Sequence, residues 1–192
     1  QDGTGDYTTV QAAIDAAPAG RTQPWLIFIK KGVYKGHHDI PANKPYLYLI
    51  GQDRNLVSIS DNRLSGGDNA YKVNDGATLT ANSDNLYFEG INFVNSYGVE
   101  KNDGPQALAL YTLGDRVALN KVGLLSYQDT WLTTTKLNNR HYIKDSWIEG
   151  AVDFIYGQGN VYLDQDTINI VRKSGGYIVA PNHPKETTWG YV

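Results

Sequence analysis

The chain has 192 residues, 41% of them apolar and 19% charged, and its net charge is −3. This balance excludes a disordered segment, no apolar run approaches the roughly 18 residues of a membrane span, and the scattered Lys and Arg build no surface for nucleic acid. With no cysteine there is neither a disulfide nor a thiolate metal site, and a start at Gln1 without methionine anywhere is what a processed or an engineered chain would show.

The length suits one domain over residues 1–192. The N-terminal region predicts a helix over 8–17, because Val10, Ala13, Ile14 and Ala17 recur at helical spacing. Thr8 and Gln11 are placed for a capping box, and Pro18 and Gly20 end the element. Beyond it the period falls to two. Trp25–Lys30, Tyr46–Ile50, Val57–Ser60 and Ala77–Ala81 read as short strands between Gly, Pro, Asn and Asp clusters.

A repeat follows. Leu86–Phe93, Val117–Leu124, His141–Ile148 and Val161–Ile168 superpose without gaps, with apolar residues at positions three and eight and a polar pair at four and five. The third-position residues Phe88, Leu119, Ile143 and Leu163 are 31, 24 and 20 apart. Irregular repeats of strands with polar corners predict a solenoid, an all-β parallel β-helix. A β-sandwich would account for the strands but not for a corner that stays in phase. The helix over 8–17 then covers the open end of the first coil, where backbone and apolar interior would otherwise meet water. No matching cover is visible near Trp189–Val192.

Asp129 and Asp153 stand out as acids in apolar, aromatic settings, 24 residues apart. One turn of chain per 20–25 residues would set them side by side on neighbouring coils, roughly 4.8 Å apart, close enough to share a proton. Gln106 and Gln128 are amides that can hold an oxyanion without carrying charge. Two acids and two amides form a kit for opening an ester: a carboxylate attacks, the amides hold the oxyanion, and the protonated partner gives its proton to the alcohol. Neighbouring side chains on a regular strand face opposite ways, so Gln128 and Asp129 share a cleft only if the strand bends there. Asp153 looks outward if Val152 and Phe154 pack inside.

The residues alone leave other roles open. Corner aspartates also close Asx turns, stacked amides also form ladders, and Tyr111, Trp131 and Tyr156 either stack on sugar rings or simply pack. His37, His38, His141 and His183 lack metal-ligand spacing.

At these positions the sequence resembles the pectin methylesterase (pectinesterase) family. Gly5-Asp-Tyr-Thr-Thr-Val-Gln-Ala-Ala-Ile14 with Ala17-Pro18 is similar to the family's start, and Ile29-Lys-Lys-Gly-Val-Tyr34 and Leu49-Ile-Gly51 to its first coils. Gly76–Leu79, Gln106–Leu110, Tyr127–Thr130 and Gly150–Gly157 resemble its four central motifs in order. The resemblance implies a right-handed parallel β-helix, a secreted protein (extracellular or periplasmic), and hydrolysis of methyl esters on homogalacturonan to pectate and methanol. It implies Asp153 as nucleophile, Asp129 as general acid and later base, and Gln106 and Gln128 on the oxyanion. Thr78 and Gln106 would touch pectin, with Tyr111 and Tyr156 lining the sugar cleft. It implies no metal and no other cofactor, no nucleic-acid or membrane partner, and a monomer.

Two departures accompany the resemblance. The segment 132–139 is longer than the family's and reads as a lengthened turn without effect on the site. The family's Leu-Gly-Arg-Pro-Trp motif has no counterpart before Val192, so C-terminal coils are expected to be missing and Asp153 lacks that arginine. A β-helical fragment that binds pectin without turnover is therefore the second reading, and a calcium-dependent pectate lyase the third.

Overall fold

The computed structural model describes residues 3–192. The chain enters through helix α1 (Val10–Ala16), which lies within the expected 8–17 once its caps are set aside, and its N-cap is Thr9, not Thr8. The Thr9 hydroxyl accepts the Ala12 amide at 3.1 Å. Gln11 is thereby freed from capping and clasps Asp39 instead, accepting its N–H at 2.9 Å and donating to its carbonyl at 3.0 Å. Val10, Ala13 and Ile14 face the core, and Lys44 donates to the carbonyls of Ile14, Asp15 and Ala17 at the helix end. The helix covers the first coil, as its pattern predicts.

Each coil then lays down three strands. The first has β1 (Trp25–Ile29), β2 (Gly32–Lys35) and β3 (His38–Ile40), the second β4 (Leu47–Gly51), β5 (Val57–Asp61) and β6 (Leu79–Ala81). Next come β7 (Leu86–Glu89), β8 (Asn92–Asn95) and β9 (Leu110–Thr112), then β10 (Val117–Asn120), β11 (Gly123–Leu125) and β12 (Trp131–Leu132). The last two coils hold β13 (Arg140–Lys144), β14 (Trp147–Gly150) and β15 (Ile155–Gly157), and β16 (Asn160–Asp164), β17 (Thr167–Ile170) and β18 (Val179–Pro181). Two short helices, α2 (Val73–Gly76) and α3 (Ser96–Lys101), sit on excursions between the second and third strands of their coils. The sequence pattern predicts neither helix, nor β2, β3, β9, β12, β15 and β18.

All pairing is parallel between equivalent strands, giving three six-stranded sheets: β1-β4-β7-β10-β13-β16, β2-β5-β8-β11-β14-β17 and β3-β6-β9-β12-β15-β18. The fold is a right-handed parallel β-helix. The repeat is visible as ladders. Ile27, Leu49, Phe88, Leu119, Ile143 and Leu163 are successive partners in the first sheet. Tyr34, Ile59, Phe93, Leu124, Ile148 and Ile168 are successive partners in the second. Phe88 and Phe93 meet inside the coil with ring centres 5.6 Å apart. These two fully buried side chains each contribute about 1.5–3 kcal/mol by leaving water.

The in-phase polar corner has a backbone cause. Gly90, Lys121, Asp145 and Gln165, the fifth residues of the four repeats, all have φ between 48° and 66°. One left-handed residue turns the chain from the first sheet to the second in the fewest steps, and the side chain it bears points into water. Gly51 sits against this column; a Cβ there would lie 2.2 Å from the Gly90 carbonyl, so the backbones can approach only without one.

His141 breaks the apolar pattern. Its ring is 3% exposed and lies edge-on to Trp131 at 6.2 Å, and burial holds its pKa down to about 4. The unfolded imidazole binds a proton below about 6.5, while the folded one does so only near 4. Stability present above pH 6.5 is therefore lost as pH falls through this window, by roughly 3 kcal/mol at its lower end. We expect His141→Leu to lose much less stability than the parent between pH 7 and pH 4, read from urea midpoints. An equal loss in both proteins would exclude His141 as the cause.

Candidate active site

The site forms where the second sheet turns into the third. In the fourth coil this corner is Ser126–Thr130 and in the fifth Ala151–Phe154. Gln128 pairs with Val152 in an isolated parallel bridge, and the Asp129 amide donates to the Val152 carbonyl at 3.0 Å. Trp131 bonds the Phe154 carbonyl in the same pattern and pairs with Ile155. The 24-residue offset is thus kept through the corner, and Asp129 stacks on Asp153. One coil earlier the Ala107 amide donates to the Gln128 carbonyl at 3.1 Å, which brings Gln106 alongside Gln128.

The strand does bend. Asp129 has φ 60° and Asp153 φ 49°, left-handed conformations that aspartate tolerates better than most residues. This turn resolves the parity conflict, since Gln128 and Asp129 no longer alternate as they would on a straight strand. Side chains brace it from within. Ser126 Oγ donates to the Ala107 carbonyl at 2.5 Å, and Thr130 Oγ1 donates to the Glu149 carbonyl at 2.8 Å. Phe154 is wholly buried, and it fits because a Cβ on Gly150 would sit 2.3 Å from the Phe154 Cβ.

Glycines also shape the amide side. A Cβ on Gly66 would fall 1.6 Å from Gln106 Oε1, and one on Gly104 would fall 3.1 Å from Gln128 Oε1. The excursion carrying Gly66 is tied to this spot by the Ser65 amide, which donates to the Gln106 carbonyl at 2.8 Å. Each amide thus rests against a residue with no side chain, which holds its far end close to the wall.

Electrostatics separate the two acids. Burial pushes the Asp129 carboxyl up to about 7, opposed by a hydrogen bond from Tyr156, reinforced by the charge of Asp153 and opposed again by the Gln128 side chain. The Tyr156 hydroxyl is itself raised, first by burial and then by the charge of Asp129. An acid protonated near neutrality beside a second carboxylate, under two amides, can attack and protonate in one place.

The family model described as Pectinesterase matches residues 1–179. The chain belongs to the pectinesterase family. It is 36% identical over 173 residues to a pectinesterase of Petunia integrifolia, covering 90% of this chain and 44% of that protein. A pectin methylesterase from carrot superposes with a TM-score of 0.89 at 30% identity, over 99% of this chain and 58% of that one. A pectin methylesterase mutant in complex with a hexasaccharide superposes with a TM-score of 0.82 at 28% identity, over 99% and 61%. The chain thus spans about half the length of the pectinesterases it matches.

Within this member of the pectinesterase family the expected site residues divide. Asp129, Asp153, Gln106 and Gln128 come together, and all four are part-exposed. Tyr156 joins them. Trp131 does not: it is fully buried inside the coil, its Nε1 donating to Thr112 Oγ1 at 3.0 Å, so it cannot stack on a sugar. The odd–even alternation of the third sheet is the reason, because Trp131 shares the inward register of Leu110 and Ile155. Thr78 is likewise wholly buried, its hydroxyl donating to the Val94 carbonyl at 2.9 Å, which removes it as a direct substrate contact in this structure. Tyr111 faces outward among Ala77, Leu108 and Leu132 but is only 4% exposed. Burial raises its hydroxyl, opposed by the neighbouring Thr135 side chain. Arg172 is exposed, and it forms no ion pair with Asp153 among the described residues. The sequence reading missed Gly66 and Gly104 as walls, and their only signal was glycine on loops near an amide.

Proposed function

We propose that this chain hydrolyses methyl esters of homogalacturonan with Asp153 as nucleophile and Asp129 as acid and base. The stacking of Asp129 on Asp153, with the Asp129 carboxyl raised to about 7, carries the reading. The Asp153 carboxylate attacks the ester carbon, and the Gln106 and Gln128 amides hold the oxyanion. Collapse breaks the bond to methanol, which leaves with the proton of Asp129. The enzyme now carries a mixed anhydride at Asp153. Asp129, left as carboxylate, takes a proton from water, the resulting hydroxide opens the anhydride and frees Asp153 as carboxylate, and the galacturonic acid departs, losing its proton to solvent as pectate. No step calls for a metal or other cofactor. The family match and the hexasaccharide bound to a related pectin methylesterase support pectin as the substrate. A polymer of the cell wall implies action in an extracellular or periplasmic space, and the proposal takes the acting form as a monomer. Among the described residues no helix is long and apolar enough to cross a membrane.

The test is methanol release from highly esterified pectin across pH. Turnover needs Asp129 protonated, so it should decline as pH rises through about 7. Absence of methanol at every pH from a protein with intact β-sheet circular dichroism would remove the catalytic reading; retained pectin binding in that protein would leave the binding-only alternative standing.

A further inference from the structure

Asn95 ends β8, and its side chain is wholly buried where three segments of the cleft meet. Nδ2 donates to the Arg63 carbonyl at 2.7 Å and to the Leu108 carbonyl at 3.3 Å, while Oδ1 accepts the Tyr97 amide at 3.2 Å. Each partner leads to a part of the site. Arg63 stands shortly before Gly66, which abuts Gln106 Oε1. Leu108 lies just past Gln106 itself. Tyr97 belongs to α3, and Gly98 after it sits so close to the next coil that a Cβ there would lie 2.7 Å from the Tyr127 amide nitrogen. That excursion runs on to Gly104, which rests against Gln128 Oε1.

We propose that Asn95 is a positioning residue for ester hydrolysis: one buried carboxamide ties together the walls behind Gln106 and Gln128 and so keeps both amides on the oxyanion. The proposal rests on these two amides holding the oxyanion in the reaction above. The excursions lie outside the strand ladders. A side-chain amide, donor at one atom and acceptor at the other, can bind two carbonyls and one N–H at once, whereas an apolar residue of that size would leave all three unpaired. The oxyanion exists only after attack, so slack in either wall raises the barrier and leaves substrate affinity alone. Gly98 carries the constraint onward, because the backbone nitrogen it faces, that of Tyr127, cannot rotate aside and directly precedes Gln128.

The experiment compares the parent with Asn95→Asp and Asn95→Ser, each checked for fold by circular dichroism and urea midpoint. The first keeps the acceptor for Tyr97 and takes away the amide donors; the second shortens the side chain without adding charge, and serves where the first does not fold. Methanol release gives kcat and KM, and nitrogen-15 spectra give the side-chain amide signals of Gln106 and Gln128. We expect kcat down about 10²-fold with KM within about twofold, and both glutamine signals displaced. Ser146→Ala controls for lost stability alone: Ser146 is also buried, accepting the Val122 amide at 3.0 Å and donating to the Lys144 carbonyl at 2.7 Å, at a corner away from the cleft. It should keep kcat within about twofold. Glutamine signals that coincide with the parent's, kcat preserved in a folded Asn95 variant, or an equal loss in Ser146→Ala would each overturn the proposal. A parent that releases no methanol would sink the esterase reading instead, and the glutamine signals would still decide whether Asn95 holds the two amides.

Discussion

Asp153→Ala is expected to abolish methanol release, a loss of at least about 10⁴-fold, and Asp129→Asn to leave no more than a trace. The two effects differ in kind. In the proposed mechanism no acyl intermediate can form without Asp153, and the amides would be left holding an ester that nothing attacks. In Asp129→Asn the intermediate still requires a proton donor of suitable strength, and an amide is not one. Both residues turn left-handed corners, φ 49° and 60°, so the fold must be checked in each variant. Asparagine accepts that conformation nearly as well as aspartate, whereas alanine costs about 1 kcal/mol there. Asp153→Asn is therefore the companion that removes the nucleophile without disturbing the corner. Melting temperatures near the parent's with activity gone would support the roles assigned; ordinary turnover in either the Asp153 or the Asp129 variant would refute them.

Gly66→Ala should also damage turnover, to a lesser degree, while sparing stability. The added Cβ would overlap the end of the Gln106 side chain, at 1.6 Å from Oε1. A long side chain can swing aside at small cost, so the fold survives, but the amide then no longer faces the oxyanion. Loss of one such donor lowers kcat by about 10²–10³-fold. The comparison is with Gly51, where the obstructing atom is the Gly90 carbonyl and cannot rotate away. Stopped assays on Gly66→Ala and Gln106→Ala should give similar rates, and undiminished kcat in Gly66→Ala would show that Gln106 does not depend on this contact.

The solenoid was legible because one rule, apolar at three and eight with a polar pair between, recurs wherever the first sheet passes into the second. Phe88, Leu119, Ile143 and Leu163 fall into a single ladder for that reason. The third sheet was harder to read. Its strands are as short as Trp131–Leu132, and the left-handed residue before them shifts the count that alternation relies on. Hence the spacing of Asp129 and Asp153 could be read, but the inward turn of Trp131 could not. Thr78 shows the same limit: its motif is visible, but its burial depends on Val94, a residue of the next coil.

In the last four coils the corners between the first and second sheets are tight, whereas those between the second and third carry long excursions, with α2 and α3 in the second and third coils. The molecule therefore separates what must stay constant from what can vary. Coil spacing is metered on one side by a column of single left-handed residues, and cleft walls of any length can be hung from the other. A lineage could lengthen, shorten or exchange those walls, and so retune which stretch of polymer is gripped, while the vertical offset between the two acids stayed the same.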